Sequence, residues 1–262
     1  MKIGMYDSGI GGLTVAAEVI KRIPDCHIIY VADNYNVPYG DKRGETIREF
    51  SCGISSFLND MESDTICIAC NMSTAYSLET IREKFPEKSV YGTIEFGGRE
   101  ALKYSDRIGV IATAGTVKSG AYTDFIKSVN KNAYVCEEPC PEFVPLVEKG
   151  LQNSEEAYET VENHIGNLLK KGNIDALILG CTHYPFLWNQ IKKVLPENVR
   201  IINPAAAMAD FLRDEGVYRS NAPAVRLFAT KDGENVSLAW QKLTGQTVPC
   251  KLLVWDNNRL VI

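Results

Sequence analysis

One short pattern occurs twice in this chain. Asp64-Thr-Ile-Cys-Ile-Ala-Cys70-Asn71 and Asp175-Ala-Leu-Ile-Leu-Gly-Cys181-Thr182 each run from an Asp through five mostly apolar residues to a Cys, followed by a small polar residue. A short apolar run bounded in this way reads as a buried strand handing a reactive side chain to the loop beyond it. In the second copy the apolar residues give way at Gly180 to Cys181, Thr182 and His183 before Pro185. Other segments repeat in the same order. Lys2-Ile-Gly-Met-Tyr-Asp7-Ser8 aligns with Arg107-Ile-Gly-Val-Ile-Ala112-Thr113, residues 83–87 with 193–197, and residues 90–93 with 201–204, at offsets of about 105 to 111 residues. Self-similarity on this scale predicts two similar halves, with the two cysteine strands as counterparts.

The pattern within the first half alternates strand and helix. Residues 2–6 predict a first strand, and Asp7-Ser-Gly-Ile-Gly-Gly-Leu-Thr-Val15 a glycine-rich turn opening a helix to about Arg22. Residues 27–32 predict a second strand, 33–41 a turn-rich loop, 45–61 a helix and 64–70 a third strand. Ser73 or Thr74 is expected to cap the next helix, which ends near Phe85-Pro86, and residues 90–94 complete the set. Such alternation predicts an α/β fold: two pseudo-symmetric domains with mainly parallel sheets flanked by helices, and an active site in the cleft between them. The expected domains are 1–95 with 206–262, and 96–205. The segment after Ala205 has no counterpart and is expected to pack on the first half, where Phe228-Ala-Thr-Lys-Asp232 and Trp255 read as structural.

Composition narrows the function. A net charge of −5, with no basic run, argues against a nucleic-acid partner and leaves a small-molecule site as the expectation. No apolar run approaches the ~18 residues that span a bilayer, and the N-terminus enters a strand pattern directly, so a cytoplasmic protein with no membrane partner is expected. In that setting the eight cysteines are expected to be reduced thiols. Cys26, Cys52, Cys136, Cys140 and Cys250 have no context that distinguishes them. Cys67-Ile-Ala-Cys70 has redox or zinc spacing, but residues three apart on a strand point to opposite faces and no second cluster completes a metal shell, so no metal is expected.

Two thiols approaching a ligand from opposite sides can invert a stereocentre, one removing a proton and the other returning one. A cysteine with a pKa of about 8.5 makes both forms accessible, and no cofactor is needed. Asp7, ending the strand beside Cys70, and His183, two residues after Cys181, are candidate proton-transfer helpers. Asn71, Thr113, Thr116 and Thr182 are candidate donors to a substrate carboxylate. Two other readings stand beside this one. Cys181 and His183, with Glu148 or Asp7 orienting the imidazole, suit a cysteine hydrolase. A non-catalytic amino-acid-binding protein also suits a cleft between α/β halves, though it gives the thiols no task.

At these residues the chain resembles the glutamate racemases of the cofactor-independent aspartate/glutamate racemase superfamily. The resemblance rests on Asp7-Ser-Gly-Ile-Gly-Gly-Leu-Thr-Val15, Pro38-Tyr-Gly40, Ala69-Cys-Asn71, Thr113-Ala-Gly-Thr116, Phe143-Val-Pro-Leu-Val-Glu148 and Gly180-Cys-Thr-His-Tyr-Pro185, in the family's order over nearly the whole chain. It implies an isomerase of two pseudo-symmetric domains, with Cys70 and Cys181 as the two bases and Asp7, Glu148 and His183 assisting. Asp7 and Ser8 would lie near the substrate amino group, and Pro38, Tyr39, Gly40, Asn71, Met72, Thr113, Thr116, Thr182 and His183 would line the pocket. It also implies a homodimer that supplies D-glutamate for peptidoglycan. Three positions depart from the family's pattern. Met72 replaces the usual Thr after Cys-Asn, Val90-Tyr-Gly-Thr-Ile-Glu-Phe96 lacks the Pro that commonly follows Glu, and Asn203-Pro-Ala205 replaces an Asp-Ser pair. These bear on substrate identity and keep aspartate or another amino acid open as the substrate.

Overall fold

Thr65-Ile-Cys-Ile68 and Ala176-Leu-Ile-Leu-Gly180 are buried along their whole length, as strands covered on both faces must be. The computed structural model, which describes residues 1–216, 218, 220 and 222–262, places each at an inner position of a parallel sheet. The chain divides into two compact units, Met1–Thr93 with Met208–Ile262, and Ile94–Ala207.

The first unit begins with β1 (Lys2–Asp7), α1 (Leu13–Arg22), β2 (His27–Ala32), α2 (Gly44–Asp60), β3 (Thr65–Ile68), α3 (Asn71–Lys84) and β4 (Ser89–Gly92). The second contains α4 (Thr93–Leu102), β5 (Arg107–Ala112), α5 (Ala114–Ser119), α6 (Ala121–Val129), β6 (Tyr134–Pro139), α7 (Phe143–Glu148), α8 (Glu155–Lys171), β7 (Ala176–Gly180), α9 (Trp188–Val194) and β8 (Arg200–Ile202). From α10 (Pro204–Glu215) the chain goes on to β9 (Ala224–Ala229), α11 (Gly233–Thr244), β10 (Cys250–Leu252) and a hairpin of β11 (Val254–Asp256) and β12 (Arg259–Val261).

In the first unit the parallel order is β10-β9-β2-β1-β3-β4, with β9 pairing along all of β2. Its core gathers Ile29, Ile54, Leu58, Ile66, Ile81 and Phe228, and Phe57 meets Phe228 edge-on with ring centroids 5.2 Å apart. Such an aromatic pair adds about 0.5–1.5 kcal/mol beyond the area it buries. The turn after β1 depends on Gly12. A Cβ there would lie 2.3 Å from Asp7 Cβ and 2.7 Å from the Tyr30 hydroxyl, so only glycine lets α1 start this close to Asp7.

The second unit's sheet runs β6-β5-β7-β8, the same order as β2-β1-β3-β4. Repetition read in the sequence is therefore repetition of topology, with β3 and β7 equivalent. The longest helix of this unit, α8, carries its own boundary signals. Ser154 accepts the Ala157 N–H, Glu155 and Glu156 lie in the first turn, and Lys170 and Lys171 close the last turn. Its buried stripe, Val161, Ile165 and Leu168, joins Leu177, Leu179, Phe143 and Ile191 in one core.

Three element ends differ from the sequence expectation, for related reasons. The third strand stops at Ile68, and α3 starts at Asn71 with Cys70 itself as its cap, in place of Ser73 or Thr74. With β3 ended, β4 has no partner beyond the Ile68–Gly92 pair, so Thr93 opens α4 where residues 90–94 suggested a longer strand. β8 likewise ends at Ile202. Asn203 Oδ1 accepts the Ala205 N–H, and Pro204 occupies the first helical position, where its missing N–H costs nothing. The departure at Asn203-Pro204 is thus a helix start.

Candidate active site

In the first unit the candidate residues sit at the carboxyl ends of β1, β2 and β3. Parallel register sets Asp7 beside Ala32 and Tyr6 beside Ile68, so Asp7, Asp33 and Cys70 leave adjacent strands at one level. Two backbone bonds extend the ladder, Asp33 N–H to Asp7 O at 3.0 Å and Ala69 N–H to Tyr6 O at 2.9 Å. Asp7 is fully buried, and its Oδ2 accepts the Gly9 N–H at 3.0 Å. The Cys70 sulfur accepts the Ser73 N–H at 3.5 Å and lies 3.8 Å from the Ser8 hydroxyl. Burial, reinforced by the Asp7 carboxylate, pushes the thiol up to about 12, against the pull of the Ser73 amide and the Ser73 and Ser8 hydroxyls. Cys70 in the free protein is therefore a thiol at neutral pH.

A second feature of this cluster was not anticipated from sequence. Asp33 is fully buried at the end of β2 and gathers a set of donors around its carboxyl group. The Tyr39 hydroxyl donates at 2.6 Å, Thr230 at 2.8 Å, the Trp255 indole at 2.9 Å and Asn36 at 3.0 Å. Pro38, Tyr39 and Gly40, the expected pocket residues of this loop, are thus fixed through Tyr39, which packs with Ile47, Cys70 and Met72 in a small apolar cluster. Burial first, then Asp33, holds the Tyr39 phenol well above its usual range. Asp33 follows β2 directly, at the same end of the sheet as Asp7 on β1 and Cys70 beyond β3, and that position was the signal available in the sequence. Met72 is buried in the cluster, while Asn71, also buried, begins α3.

In the second unit Cys181 follows β7 and is buried, with Thr182 and His183 beside it. The Cys181 sulfur is 3.9 Å from His183 Nδ1, and His183 Nε2 is 2.6 Å from Glu148 Oε1 at the end of α7. A proton on Nε2 donated to the carboxylate leaves Nδ1 as a base facing the thiol. Thr113 leaves β5 next to this strand end, since Ala112 pairs with Gly180, and its hydroxyl lies 3.0 Å from that of Thr116. The clusters in the two units differ in one respect. Where the first has Asp7 on the strand, the equivalent residue here is Ala112, and the titratable neighbour of the cysteine, His183, comes from the loop after Cys181.

All eight cysteines are free thiols. Among the described residues no group of three or more His, Cys, Asp and Glu is placed to hold a metal ion, and no helix is long and apolar enough to cross a membrane.

The sequence profile of the Asp/Glu/Hydantoin racemase family matches residues 14–212. The chain belongs to this family. Among its relatives in the racemase family, the glutamate racemase of Aquifex aeolicus is 39% identical over 96% of this chain and 97% of its own. A crystal structure of a glutamate racemase isoform from Bacillus anthracis superposes with a TM-score of 0.90 at 33% identity, over 98% of each chain. Another, the Francisella tularensis glutamate racemase in complex with D-glutamate, gives 0.88 at 31% identity over 97% of each. This racemase chain is accordingly an isomerase, and its two-unit parallel α/β fold is that of its relatives.

Proposed function

We propose that the protein interconverts L- and D-glutamate, with Cys70 and Cys181 as opposed bases. One observation carries the reading: the equivalent inner strand of two topologically repeated units leads into a buried cysteine with a titratable neighbour, Asp7 for one and His183–Glu148 for the other. The mechanism requires the two sulfurs to address opposite faces of one Cα. One thiolate takes the α-proton, the C–H electron pair passes into the planar carbanion, and the other thiol protonates the opposite face. The amino acid is inverted and the thiol and thiolate have exchanged places, with no net redox change. His183, held by Glu148, receives and returns the Cys181 proton, and Asp7 serves Cys70 in the same way. Asn71, Thr113, Thr116 and Thr182 donate to the substrate carboxylate as charge develops, Ser8 and Asp7 meet the amino group, and Pro38, Tyr39 and Gly40 shape the wall.

Glutamate is the substrate named for the relatives above. On this reading the protein works in the cytoplasm as a homodimer and supplies D-glutamate for peptidoglycan. Met72 keeps aspartate as the second candidate, because the family's hydroxyl at this position is replaced by a side chain that packs against Tyr39 and Cys70. The row Cys181–His183–Glu148 also has the order of a nucleophile, a base and its orienter, which favours a hydrolase as the remaining alternative.

The deciding experiment is NMR in D2O with circular dichroism, on L- and D-glutamate and both aspartates under reducing conditions. Deuterium entering Cα with inversion of glutamate, lost in both Cys70→Ala and Cys181→Ala, is the expected result. Inversion of aspartate alone would move the substrate, and activity surviving Cys70→Ala would end the two-thiol mechanism.

A further inference from the structure

Ser73 is fully buried in the first turn of α3, and its hydroxyl has no hydrogen bond of ordinary length and angle, although it lies near enough to the Cys70 sulfur to favour a thiolate there. Its position is specific. With Cys70 as the cap, Ser73 is the third helical residue, the one whose side chain reaches back toward the cap when a capping box forms. Its backbone N–H already contacts the Cys70 sulfur at 3.5 Å. A buried hydroxyl without a partner is unfavourable, and one beside a group that changes charge is informative.

Building on the two-thiol reading, we propose that Ser73 is a positioning residue for Cys70, its hydroxyl kept without an ordinary hydrogen bond in the thiol state so that it can donate to the sulfur once the thiolate forms. The same residue then grips the anion twice, through its amide and its side chain.

The surroundings of the sulfur give this donor its importance. The titratable groups that face Cys70 are Asp7 and Tyr6 from β1, Tyr30 from β2 and Tyr39 from the following loop. None of these is a cation. Burial and Asp7 both disfavour the thiolate, and the counterweights are the N–H and O–H donors, of which the Ser73 hydroxyl and the Ser8 hydroxyl are the side-chain members. Met72 adds apolar surroundings. The Ser73 hydroxyl supplies a donor beside the sulfur although residue 72 offers none.

A control lies in the same helix. Ser77 is equally buried, and its hydroxyl also has no partner, but it sits one turn further from the cap. The test compares full-length wild type, Ser73→Ala and Ser77→Ala by two readings: the rate of Cys70 alkylation by iodoacetamide, followed by peptide mass, and the pH profile of kcat/KM for racemisation. A charge-assisted hydrogen bond corresponds to a shift of about one unit or more. Ser73→Ala should therefore slow alkylation of Cys70 about tenfold at pH 8 and move the acid limb of kcat/KM up by about one pH unit, while Ser77→Ala follows wild type. Superimposable profiles for the two variants would overturn the proposal and leave Ser73 a packing residue. Racemisation retained by Cys70→Ala would instead remove the two-thiol reading, and the alkylation comparison would still decide whether Ser73 holds the thiolate.

Discussion

Glu148 holds His183 by a 2.6 Å contact to Nε2, which fixes the opposite ring nitrogen toward the Cys181 sulfur 3.9 Å away. The carboxylate, the ring and the thiol thus lie in one row. His183→Asn should lower kcat by about 10²–10⁴-fold, the usual worth of a positioned acid–base group. Glu148→Gln, which loses a charge-assisted bond but keeps the ring in place, should cost roughly 10- to 100-fold. Steady-state assays in both directions check this, and equal losses in the two variants would show that Glu148 does more than orient.

Asp33 ties Tyr39, Thr230 and Trp255 to one buried carboxyl group. Asp33→Ala would strand buried donors at about 1–3 kcal/mol each. Urea denaturation should show a loss of at least about 3 kcal/mol, with KM rising as the Pro38–Gly40 loop loosens. Asp33→Asn, which retains an acceptor, should lose less.

Met72 occupies the apolar cluster of Tyr39, Ile47 and Cys70. Met72→Thr, which supplies a hydroxyl at the position where the resembled family carries one, should destabilise by about 1–3 kcal/mol from lost packing. If the hydroxyl reaches the carboxylate, KM for glutamate falls in the same variant. A Tm measured beside KM separates the two effects.

Glu137 gives a pH dependence of known sign. Burial raises its carboxyl pKa above the usual value, against donation from Thr123. A carboxyl group raised in the folded state contributes stability that is complete below its unfolded pKa of about 4.3 and is lost as pH rises through the folded value. Wild type should therefore lose stability relative to Glu137→Gln as pH rises from 4 toward neutrality, by chemical denaturation at a series of pH values. Parallel curves would show that Glu137 does not titrate differently on folding.

Much of this protein is legible in one dimension. The two cysteine strands, their equivalence and the parallel α/β class follow from apolar runs and their repetition, because strand burial and chain alternation are local properties of sequence. Asp7, Cys70, Cys181 and His183 stood out for the same reason: each follows or ends a strand, where polar side chains are offered to ligands. What the chain alone left open depended on partners distant in sequence. Asp33 looked like a turn residue until Thr230 and Trp255, some two hundred residues later, came to its carboxyl group. Cys70 looked like the end of a strand, whereas the close of β3 made it a helix cap that draws the Ser73 amide to its sulfur. Sequence by itself determined which residues could do chemistry. Tertiary structure decided the protonation of Cys70, because the burial and the Asp7 charge that raise its pKa exist only once the strands are side by side.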